Sequence, residues 1–313
     1  MNQVRRLTQS GECLENGRDS DLVIPIMGPT GSGKSSFIRA LLNDLASPGP
    51  EVSNGINSCT SVVQHYFFEP KSKSLQAKIN GRRVVLVDTP GFDDTNASDL
   101  EILRRIAVWL TASYGGQMKV AGIIYIYPIF PGRYTHNDRT NVKVFKKLCG
   151  NNGIKWVTFA TSRWDQEEAI EALEGKGVFT TREGQLHSHW KDMLASGATS
   201  GRLAKTNSPR GKYSAHSLLE EVITKGLENK AKEDEFAGVM VALQEQIVKK
   251  KRNLPKTAAA RELKKKLDVL MREYNSLGDN ETVRQKTRAI VGQLDELKIS
   301  LGGRIKLFLL GNS

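Results

Sequence analysis

The sequence predicts an α/β protein in which most strands of the sheet run parallel. A glycine-rich motif at residues 28–35 stands between an apolar run at 22–27 and a helical pattern that begins at Phe37. Short apolar or β-branched segments then alternate with helical patterns as far as Leu227. The tetrapeptide at residues 88–91, Asp-Thr-Pro-Gly, directly follows one of these apolar segments. Such an alternation indicates three layers, with helices on both faces of the sheet.

The glycine-rich motif has the residues that a phosphate group needs. It reads Gly-Pro-Thr-Gly-Ser-Gly-Lys-Ser and fits the pattern G-x-x-x-x-G-K-[ST]. Glycine lets the backbone curl tightly, so that its N–H groups and the N-terminus of the next helix surround an anion. Lys34 adds a positive charge for the outer phosphates, and the Ser35 hydroxyl is a ligand for Mg²⁺. The predicted phosphate-binding residues are Gly28, Thr30, Gly31, Ser32, Gly33, Lys34, Ser35 and Ser36.

The Asp-Thr-Pro-Gly tetrapeptide predicts a second part of the same site. Asp88 ends a buried strand, where a carboxylate can hold Mg²⁺, through water in our interpretation. Gly91 can present its N–H to the terminal phosphate of a nucleoside triphosphate and can move when that phosphate is lost. Since this tetrapeptide follows a phosphate-binding motif, we predict a Mg²⁺-triphosphate site.

The remaining segments complete the predicted α/β domain, which we assign to residues 21–227. Asn80-Gly81 predicts a two-residue turn, since both residues accept positive φ angles, and hence a β-hairpin of residues 75–79 and 82–87. Further strands are predicted at 62–68, 121–127 and 156–160, with an edge strand at 202–207, and helices at 99–110, 141–148, 166–173, 187–194 and 214–227.

The two ends of the chain differ from the α/β domain. Residues 1–20 are polar and are predicted to be flexible, without the apolar core of a signal peptide. Residues 228–303 repeat apolar side chains every three or four positions, which predicts a helical extension. A coiled coil and a helical hairpin that packs on itself or on the α/β domain both fit this pattern. Residues 304–313 are apolar but too short to span a bilayer.

Composition limits the partners and the compartment. The 313 residues carry a net charge of +12, and residues 228–313 contribute 18 Lys and Arg against 12 Asp and Glu. This surplus suits an anionic membrane surface, nucleic acid or an acidic partner protein and does not choose among them, and a solvated helical surface explains it equally well. No motif indicates nucleic acid. The three cysteines have no metal-binding spacing. We expect a cytoplasmic protein, or one that lies peripherally at a membrane, without a transmembrane span.

Together the motifs resemble those of the P-loop GTPase superfamily. The octapeptide Asp-Thr-Pro-Gly-Phe-Asp-Asp-Thr at residues 88–95 and the pattern T-x-x-W-D at 161–165 look most like septin-like and GIMAP-type (AIG/Toc) G domains, especially fungal ones. The resemblance covers residues 22–227 and implies that GTP binds with Mg²⁺. It places Thr60 in the loop that reaches Mg²⁺ in the triphosphate state, although Ser58 or Ser61 could serve instead.

The segment that should recognise the nucleotide base departs from the family pattern. GTPases usually have N/T-K-x-D there, and this chain has Ser162, Arg163, Trp164 and Asp165. Asp165 can accept hydrogen bonds from guanine N1–H and N2–H₂, and Arg163 can lie over the base. Trp164 can stack or simply pack. Ser162 lacks the amide that tethers the phosphate-binding loop in the family, so this tether is expected to be lost.

Other interpretations of this segment stay open. Asp165 could instead cap the helix that begins at Gln166, and ATP could replace GTP. Asn207 or Ser214-Ala215 could add a contact to the base, but the signal for this last motif is weak.

The predicted catalytic residues are Lys34, Thr60 and Gly91. Many GTPases place a glutamine after the glycine that corresponds to Gly91, where it orients the attacking water, and this chain has Phe92. Hydrolysis should therefore be slow. The resemblance implies help from a second G domain in a homodimer, with Arg133 as a possible contact across the interface. The alternative is a nucleotide-dependent scaffold with negligible turnover.

Overall fold

A single large sheet organises the part of the chain that is described. The computed structural model describes residues 18, 20–42, 63–91, 119–130, 134–204, 212–228, 230–232, 235–236, 257–262 and 265. The strands are β1 (Leu22–Met27), β2 (Gln64–Phe68), β3 (Val84–Asp88), β4 (Lys119–Val120), β5 (Ile123–Pro128), β6 (Val157–Ser162), β7 (Thr199–Leu203), β8 (Lys212–Tyr213), β9 (Lys230–Lys232) and β10 (Glu235–Phe236). The helices are α1 (Lys34–Leu42), α2 (Lys73–Ile79), α3 (His136–Ile154), α4 (Glu167–Glu174), α5 (Val178–Ala195) and α6 (Ala215–Leu227), with a 3₁₀ turn at Trp164–Gln166.

The sheet is parallel except at one edge. Its strand order is β2-β3-β1-β5-β6-β7-β8, and β4 also pairs with β1. Only β2 runs antiparallel, against β3, with Tyr66 opposite Leu86. The parallel pairs include Leu22 with Val84, so the carboxyl ends of β1 and β3 lie at the same edge. The predicted α/β fold with a mostly parallel sheet is confirmed.

Apolar clusters lie on both faces of the sheet. On one face, α1, α2 and α6 pack against alternate residues of the central strands, such as Ile24 and Leu86. On the other face, α3 and α5 pack against Tyr125 and Phe159, with Phe145 among the side chains that fill the space. Alternation of side chains along each strand explains how one strand supplies both clusters. The result is the predicted three-layer α/β/α arrangement.

The predicted hairpin at Asn80-Gly81 is wrong. Residues 73–79 form α2, which the Ser72 hydroxyl caps by accepting a hydrogen bond from Leu75 N. Asn80 has φ 47° and ψ 56° and ends the helix in the left-handed conformation. A positive φ angle serves a helix end as well as a hairpin turn, so Asn-Gly did not distinguish them. The antiparallel strand is β2 itself, joined to β3 through α2.

Other boundaries differ by a few residues. The capping box of Thr135 and Asp138 starts α3 at His136, earlier than predicted, and the helix kinks at Gly150 rather than ending there. The predicted edge strand at 202–207 is instead β7 at Thr199–Leu203, and β8 lies beyond it at the edge. The predicted helix at 99–110 lies outside the described residues.

Little of the predicted helical extension is described. It does not begin at residue 228 as a helix, because Lys230–Lys232 and Glu235–Phe236 pair as antiparallel strands. Ala259 and Ala260 are buried in the same apolar cluster as α3 and α5, so this part of the chain packs on the α/β domain. In the described part of the chain, no helix is long and apolar enough to cross a membrane.

The cap of α2 gives a stability test. Ser72→Ala removes the oxygen that accepts from Leu75 N, and it should lower the free energy of unfolding by about 1 kcal/mol. Urea unfolding measures this as a lower midpoint with an unchanged slope. Ser74→Ala makes the same chemical change inside the helix, where alanine is favoured, and should cost nothing. Equal effects at both positions would contradict the capping role.

Candidate functional site

The loops that carry the predicted site residues leave the sheet at the carboxyl ends of its strands. Strands β1, β3, β5 and β6 are parallel neighbours, so their carboxyl ends lie side by side. The segments that follow β1, β3 and β6 are residues 28–33, 89–91 and 163–165. These segments contain the glycine-rich motif, the Asp-Thr-Pro-Gly exit and the predicted base-reading motif. In parallel α/β sheets, this edge is where ligands bind.

The backbone of the loop at residues 28–33 requires glycine for two different reasons. Gly28 has a φ angle of 142°, and a Cβ atom there would overlap the carbonyl oxygen of Ile126 on β5. Gly31 and Gly33 face open space but have φ angles of 73° and 96°, which other residues rarely adopt. Helix α1 starts directly afterwards, with Phe37 N donating to Gly33 O at 2.8 Å. The loop therefore leads into a helix N-terminus, where backbone N–H groups bind anions.

Lys34 is held by the same loop. Its side chain is buried, and its ammonium group donates to Pro29 O at 2.9 Å and to Gly28 O at 3.3 Å. Since a buried ammonium needs acceptors, these carbonyl groups compensate its charge and fix its position. A positive charge thus lies at the mouth of the loop, where the sequence predicts it.

The remaining residues of the loop differ in exposure. The Ser32 hydroxyl is buried and has no hydrogen-bond partner within the described residues. Thr30 is half-buried, whereas Gly31 and Ser36 are exposed. A buried hydroxyl without a protein partner fits a polar ligand in this loop.

Ser35 and Asp88 are in contact, as a shared metal site requires. The Ser35 hydroxyl donates to Asp88 Oδ2 at 2.7 Å, although 53 residues separate them in the chain. Asp88 is completely buried at the end of β3. A hydroxyl and a carboxylate are hard oxygen ligands of the kind that Mg²⁺ prefers, together with phosphate oxygens and water. The donor set therefore fits Mg²⁺. The described residues contain no cluster of three or more His, Cys, Asp or Glu side chains that could hold a metal by themselves.

The exit from β3 is anchored to β1 and to the glycine-rich loop. The buried Thr89 hydroxyl donates to Ile26 O at 2.8 Å, which holds the Asp-Thr-Pro-Gly exit beside the end of β1. Gly91 lies so close to Thr30 that a Cβ atom there would be 2.5 Å from Thr30 N. Sequence analysis did not identify this anchoring role of Thr89. The one signal for it in the sequence was its position inside the Asp-Thr-Pro-Gly tetrapeptide. Gly91 requires glycine because of this close approach.

The expectation that Ser162 loses the tether to the phosphate-binding loop is wrong. The Ser162 hydroxyl is buried and donates to Ser32 O at 2.8 Å, so a hydroxyl makes the contact in place of an amide. Arg163 adds a second link, from Nη2 to Gly31 O at 3.1 Å. Arg163 has a φ angle of 71°, which is unusual for a residue with a side chain. Two hydrogen bonds therefore join the predicted base-reading segment to the phosphate-binding loop.

Trp164 and Asp165 differ in exposure. Trp164 is buried in the cluster between the sheet and α5, so of the two roles open to it, packing is the observed one. Asp165 is exposed in the 3₁₀ turn. The N-cap of α4 is Gln166, and no side-chain hydrogen bond caps that helix. The role of Asp165 toward a nucleotide base stays a prediction.

The loop after β5 is anchored through Tyr134. Its ring stacks on His189 of α5, with 4.2 Å between centroids and 11° between planes. Burial, and then the nearby Asp138, raise the pKa of Tyr134, so this hydroxyl stays protonated. Burial, together with the charge of Arg139, lowers the pKa of His189. The stack is therefore a contact between two neutral rings at neutral pH.

Several predicted residues lie outside the described part of the chain. They are Ser58, Thr60, Ser61, Phe92, Asp93, Asp94, Arg133 and Asn207. Ser214, one of the alternatives for the last base contact, caps α6 by accepting from Ser217 N.

The strand order, the glycine loop and the Ser35–Asp88 contact together form a three-layer α/β/α fold with a P-loop at the carboxyl ends of its strands. A family model described as 50S ribosome-binding GTPase matches residues 23–146, which is less than half of the chain. The finer assignment to a septin-like, GIMAP-type or fungal group stays a prediction.

Solved structures of proteins in complex with guanine nucleotides or their analogues are similar to the chain at low sequence identity. Toc33 from Arabidopsis thaliana in complex with GDP and Mg²⁺ is 14% identical, with a TM-score of 0.49, and the match covers 68% of this chain and 86% of that one. Toc33 in complex with Mg²⁺ and GMPPNP is 15% identical, with a TM-score of 0.48 and coverage of 68% and 87%. Translation elongation factor SelB from Methanococcus maripaludis, in complex with the GTP analogue GPPNHP, is 12% identical, with a TM-score of 0.39 and coverage of 68% and 35%.

The tether from Ser162 gives a second test. Ser162→Ala removes a buried hydrogen bond to Ser32 O and should lower the free energy of unfolding by about 1 to 2 kcal/mol. Ser188→Ala is the control, since its exposed hydroxyl also donates to a backbone carbonyl, that of Gly184. Chemical unfolding of both variants should show a loss for Ser162 alone. If Ser162→Ala is as stable as the control, the tether does not stabilise the fold.

Proposed function

We propose that this protein binds GTP with Mg²⁺ and slowly hydrolyses it, as a nucleotide-dependent switch that dimerises through its G domain. The observation that carries this proposal is the junction of two segments at one edge of the sheet. The phosphate-binding loop and the segment 162–165 are joined by hydrogen bonds of 2.8 and 3.1 Å. A ligand held there would contact the loop with its phosphates and Asp165 with its base.

A positive charge and hydrogen-bond donors support a phosphate group at this end of the site. The N-terminus of α1 supplies backbone N–H groups, and Lys34 supplies a fixed positive charge. The buried Ser32 hydroxyl gains a partner when an anion occupies the loop. These groups suit the negatively charged oxygens of a di- or triphosphate.

Ser35 and Asp88 would hold Mg²⁺, and Thr60 would join them in the triphosphate state. When bound, the ion neutralises charge on the β- and γ-phosphates. The direct contact between Ser35 and Asp88 supports this assignment, because it brings the two expected protein ligands together.

Asp165 and Arg163 support guanine as the base. An exposed carboxylate can accept from the N1–H and N2–H₂ groups of guanine, and adenine lacks this pair of donors. Arg163 is held beside the phosphate-binding loop by its bond to Gly31, so its side chain lies between the two ends of the site. Its planar guanidinium group is suited to lie over a base.

Hydrolysis would proceed by attack of water on the γ-phosphate, in line with the leaving oxygen. Lys34 and the amides of the loop stabilise the negative charge that develops. Phe92 cannot hydrogen-bond the attacking water, so the reaction should be slow in one isolated molecule. A second G domain docked across the nucleotide would supply the missing group, for example through Arg133. Loss of the γ-phosphate then releases the loops that carry Thr60 and Gly91.

The last part of the chain is the candidate for passing this conformational change to another molecule. We infer that the segment after residue 228 transmits the change to a partner protein or to a membrane surface. Its positive charge and the burial of Ala259 and Ala260 against the α/β domain support this role.

Replacing Asp165 tests the base. Asp165→Asn puts an amide opposite two guanine donors and should weaken GTP binding by about 100-fold, since buried donors lose their acceptors. Xanthosine triphosphate has a carbonyl group in place of the 2-amino group and should bind the variant better than the native protein. Competition against a fluorescent GDP analogue measures both affinities and that of ATP.

The control for this experiment is Asp192→Asn, which neutralises an exposed carboxylate on α5. It should leave all three affinities unchanged. Equal affinity of the native protein for GTP and ATP, or no effect of Asp165→Asn, would refute the guanine assignment and favour an ATPase.

One observation favours a second function, that of a nucleotide-dependent scaffold that does not hydrolyse its nucleotide. Phe92 favours it, because the residue directly after Gly91 cannot hydrogen-bond the attacking water. Phosphate release measured over a range of protein concentrations separates the two functions. The rate per molecule should rise with concentration if a dimer completes the site. Lys34→Ala provides the background rate, and a native rate that stays at this background over the whole range would refute hydrolysis and favour the scaffold.

A further inference from the structure

The base-reading segment is built around a buried tryptophan. Trp164 is 1% exposed, and its indole Nε1 donates to Thr161 Oγ1 at 2.8 Å. The Phe179 ring of α5 contacts it with 5.5 Å between ring centroids. Because Trp164 directly precedes Asp165, the packing of the indole fixes the backbone next to the carboxylate that is proposed to read the base.

Arg202 holds the indole from the neighbouring strand. Its guanidinium carbon lies 4.4 Å from the centroid of the Trp164 ring, within the range of a cation–π interaction. Strand β7 places it there, because Arg202 is paired with Thr161 in the parallel register of β6 and β7. The same strand therefore supplies a cation to the indole whose N–H is bonded to Thr161.

Glu183 of α5 fixes the orientation of this guanidinium group. Arg202 Nε donates to the two Glu183 oxygens at 2.9 and 3.1 Å, and Nη2 donates to Oε2 at 2.5 Å. The two side chains are 24% and 12% exposed, so water screens the pair only partly. Hydrogen bonding to Glu183 raises the pKa of Arg202, so its charge is permanent. A bidentate pair restricts a guanidinium group to one plane, which lysine cannot reproduce.

The turn that these residues support is conformationally costly. Arg163 adopts a left-handed conformation, which costs about 1 kcal/mol or more for a residue with a side chain. Such a conformation persists only where neighbouring contacts impose it. Ser162 and Arg163 fix the turn on the side of the phosphate-binding loop, and Trp164 fixes it on the side of the core.

We propose that Arg202, oriented by Glu183 and packed on Trp164, is a positioning residue that sets the base specificity of the site. In this role Arg202 acts through Trp164 on the placement of Asp165, and it needs no contact of its own with the nucleotide. This inference rests on the proposed function, because it requires Asp165 to read the base.

The chain contains a closely matched control for this unit. Arg83 also forms a bidentate pair, with Asp21 at 2.8 and 2.6 Å, and its guanidinium carbon lies 4.8 Å from the centroid of the Phe67 ring. Its side chain is 25% exposed, nearly the same as that of Arg202. Asp21 and Arg83 directly precede β1 and β3. They therefore lie at the amino ends of these strands, whereas the site lies at the carboxyl ends.

The experiment compares Arg202→Met with Arg83→Met through the dissociation constants of GTP and ATP with Mg²⁺. Arg202→Met should weaken GTP binding by about tenfold and change ATP binding by less than twofold, since only guanine uses Asp165. Arg83→Met should change neither. A purely structural role for Arg202 would weaken both nucleotides equally, because they share the triphosphate, and that outcome would overturn the proposal.

Two further variants strengthen the experiment. Arg202→Lys keeps the charge and should not restore the GTP preference, because lysine forms neither the bidentate pair nor the planar stack. Glu183→Gln keeps the shape of its side chain and should reduce the preference partially, which tests the same contact if Arg202→Met does not fold. Full GTP preference in the folded Glu183→Gln and Arg202→Lys proteins would overturn the proposal.

Asp165→Ala separates this inference from the function on which it rests. If Asp165→Ala leaves the ratio of GTP to ATP affinity unchanged, the guanine assignment itself is wrong. If Asp165→Ala removes the preference and Arg202→Met does not, only the positioning role fails. If both roles are correct, the double variant should show no further loss of preference beyond Asp165→Ala.

Discussion

The backbone carbonyl groups of residues 28–32 need hydrogen-bond donors. The residues that supply these donors form much of the site. A tight glycine-rich loop cannot satisfy its own backbone as a helix or a sheet does. Lys34 supplies donors from within the loop, and Ser162 and Arg163 supply them from a segment 130 residues away along the chain. The same hydrogen bonds that satisfy the loop therefore bring the phosphate end and the base end of the site together.

The sheet makes this arrangement possible. Because β1, β3 and β6 run parallel, their exits meet at one edge, and short-range contacts then set the details. Thr89 ties the exit of β3 to the end of β1, and Gly91 packs against Thr30 without space for a side chain. Loss of the terminal phosphate would affect the position of Gly91, since Gly91 contacts the loop that is proposed to hold the phosphates.

The parts of the site that sequence analysis predicted are those whose chemistry is local. Gly28, Lys34 and Ser35 belong to one motif, and the end of a buried strand identified Asp88. The hairpin at Asn80-Gly81 was wrong because a left-handed residue ends a helix as readily as it forms a turn. The tether from Ser162 was missed because a short hydroxyl replaces an amide only where the backbone comes close enough, and no pattern in the sequence reports that distance.

The sequence by itself determined the fold class, the position of the glycine-rich loop before α1 and the pairing of Ser35 with Asp88 that is proposed to hold Mg²⁺. These follow from residue type and spacing along a short stretch, where geometry is nearly the same in any protein. Tertiary structure decided that Trp164 packs inward while Asp165 stays exposed, and that Arg202 and Glu183 support them. Those contacts join β6, β7 and α5, and their formation depends on sheet register and helix packing, which no single segment encodes.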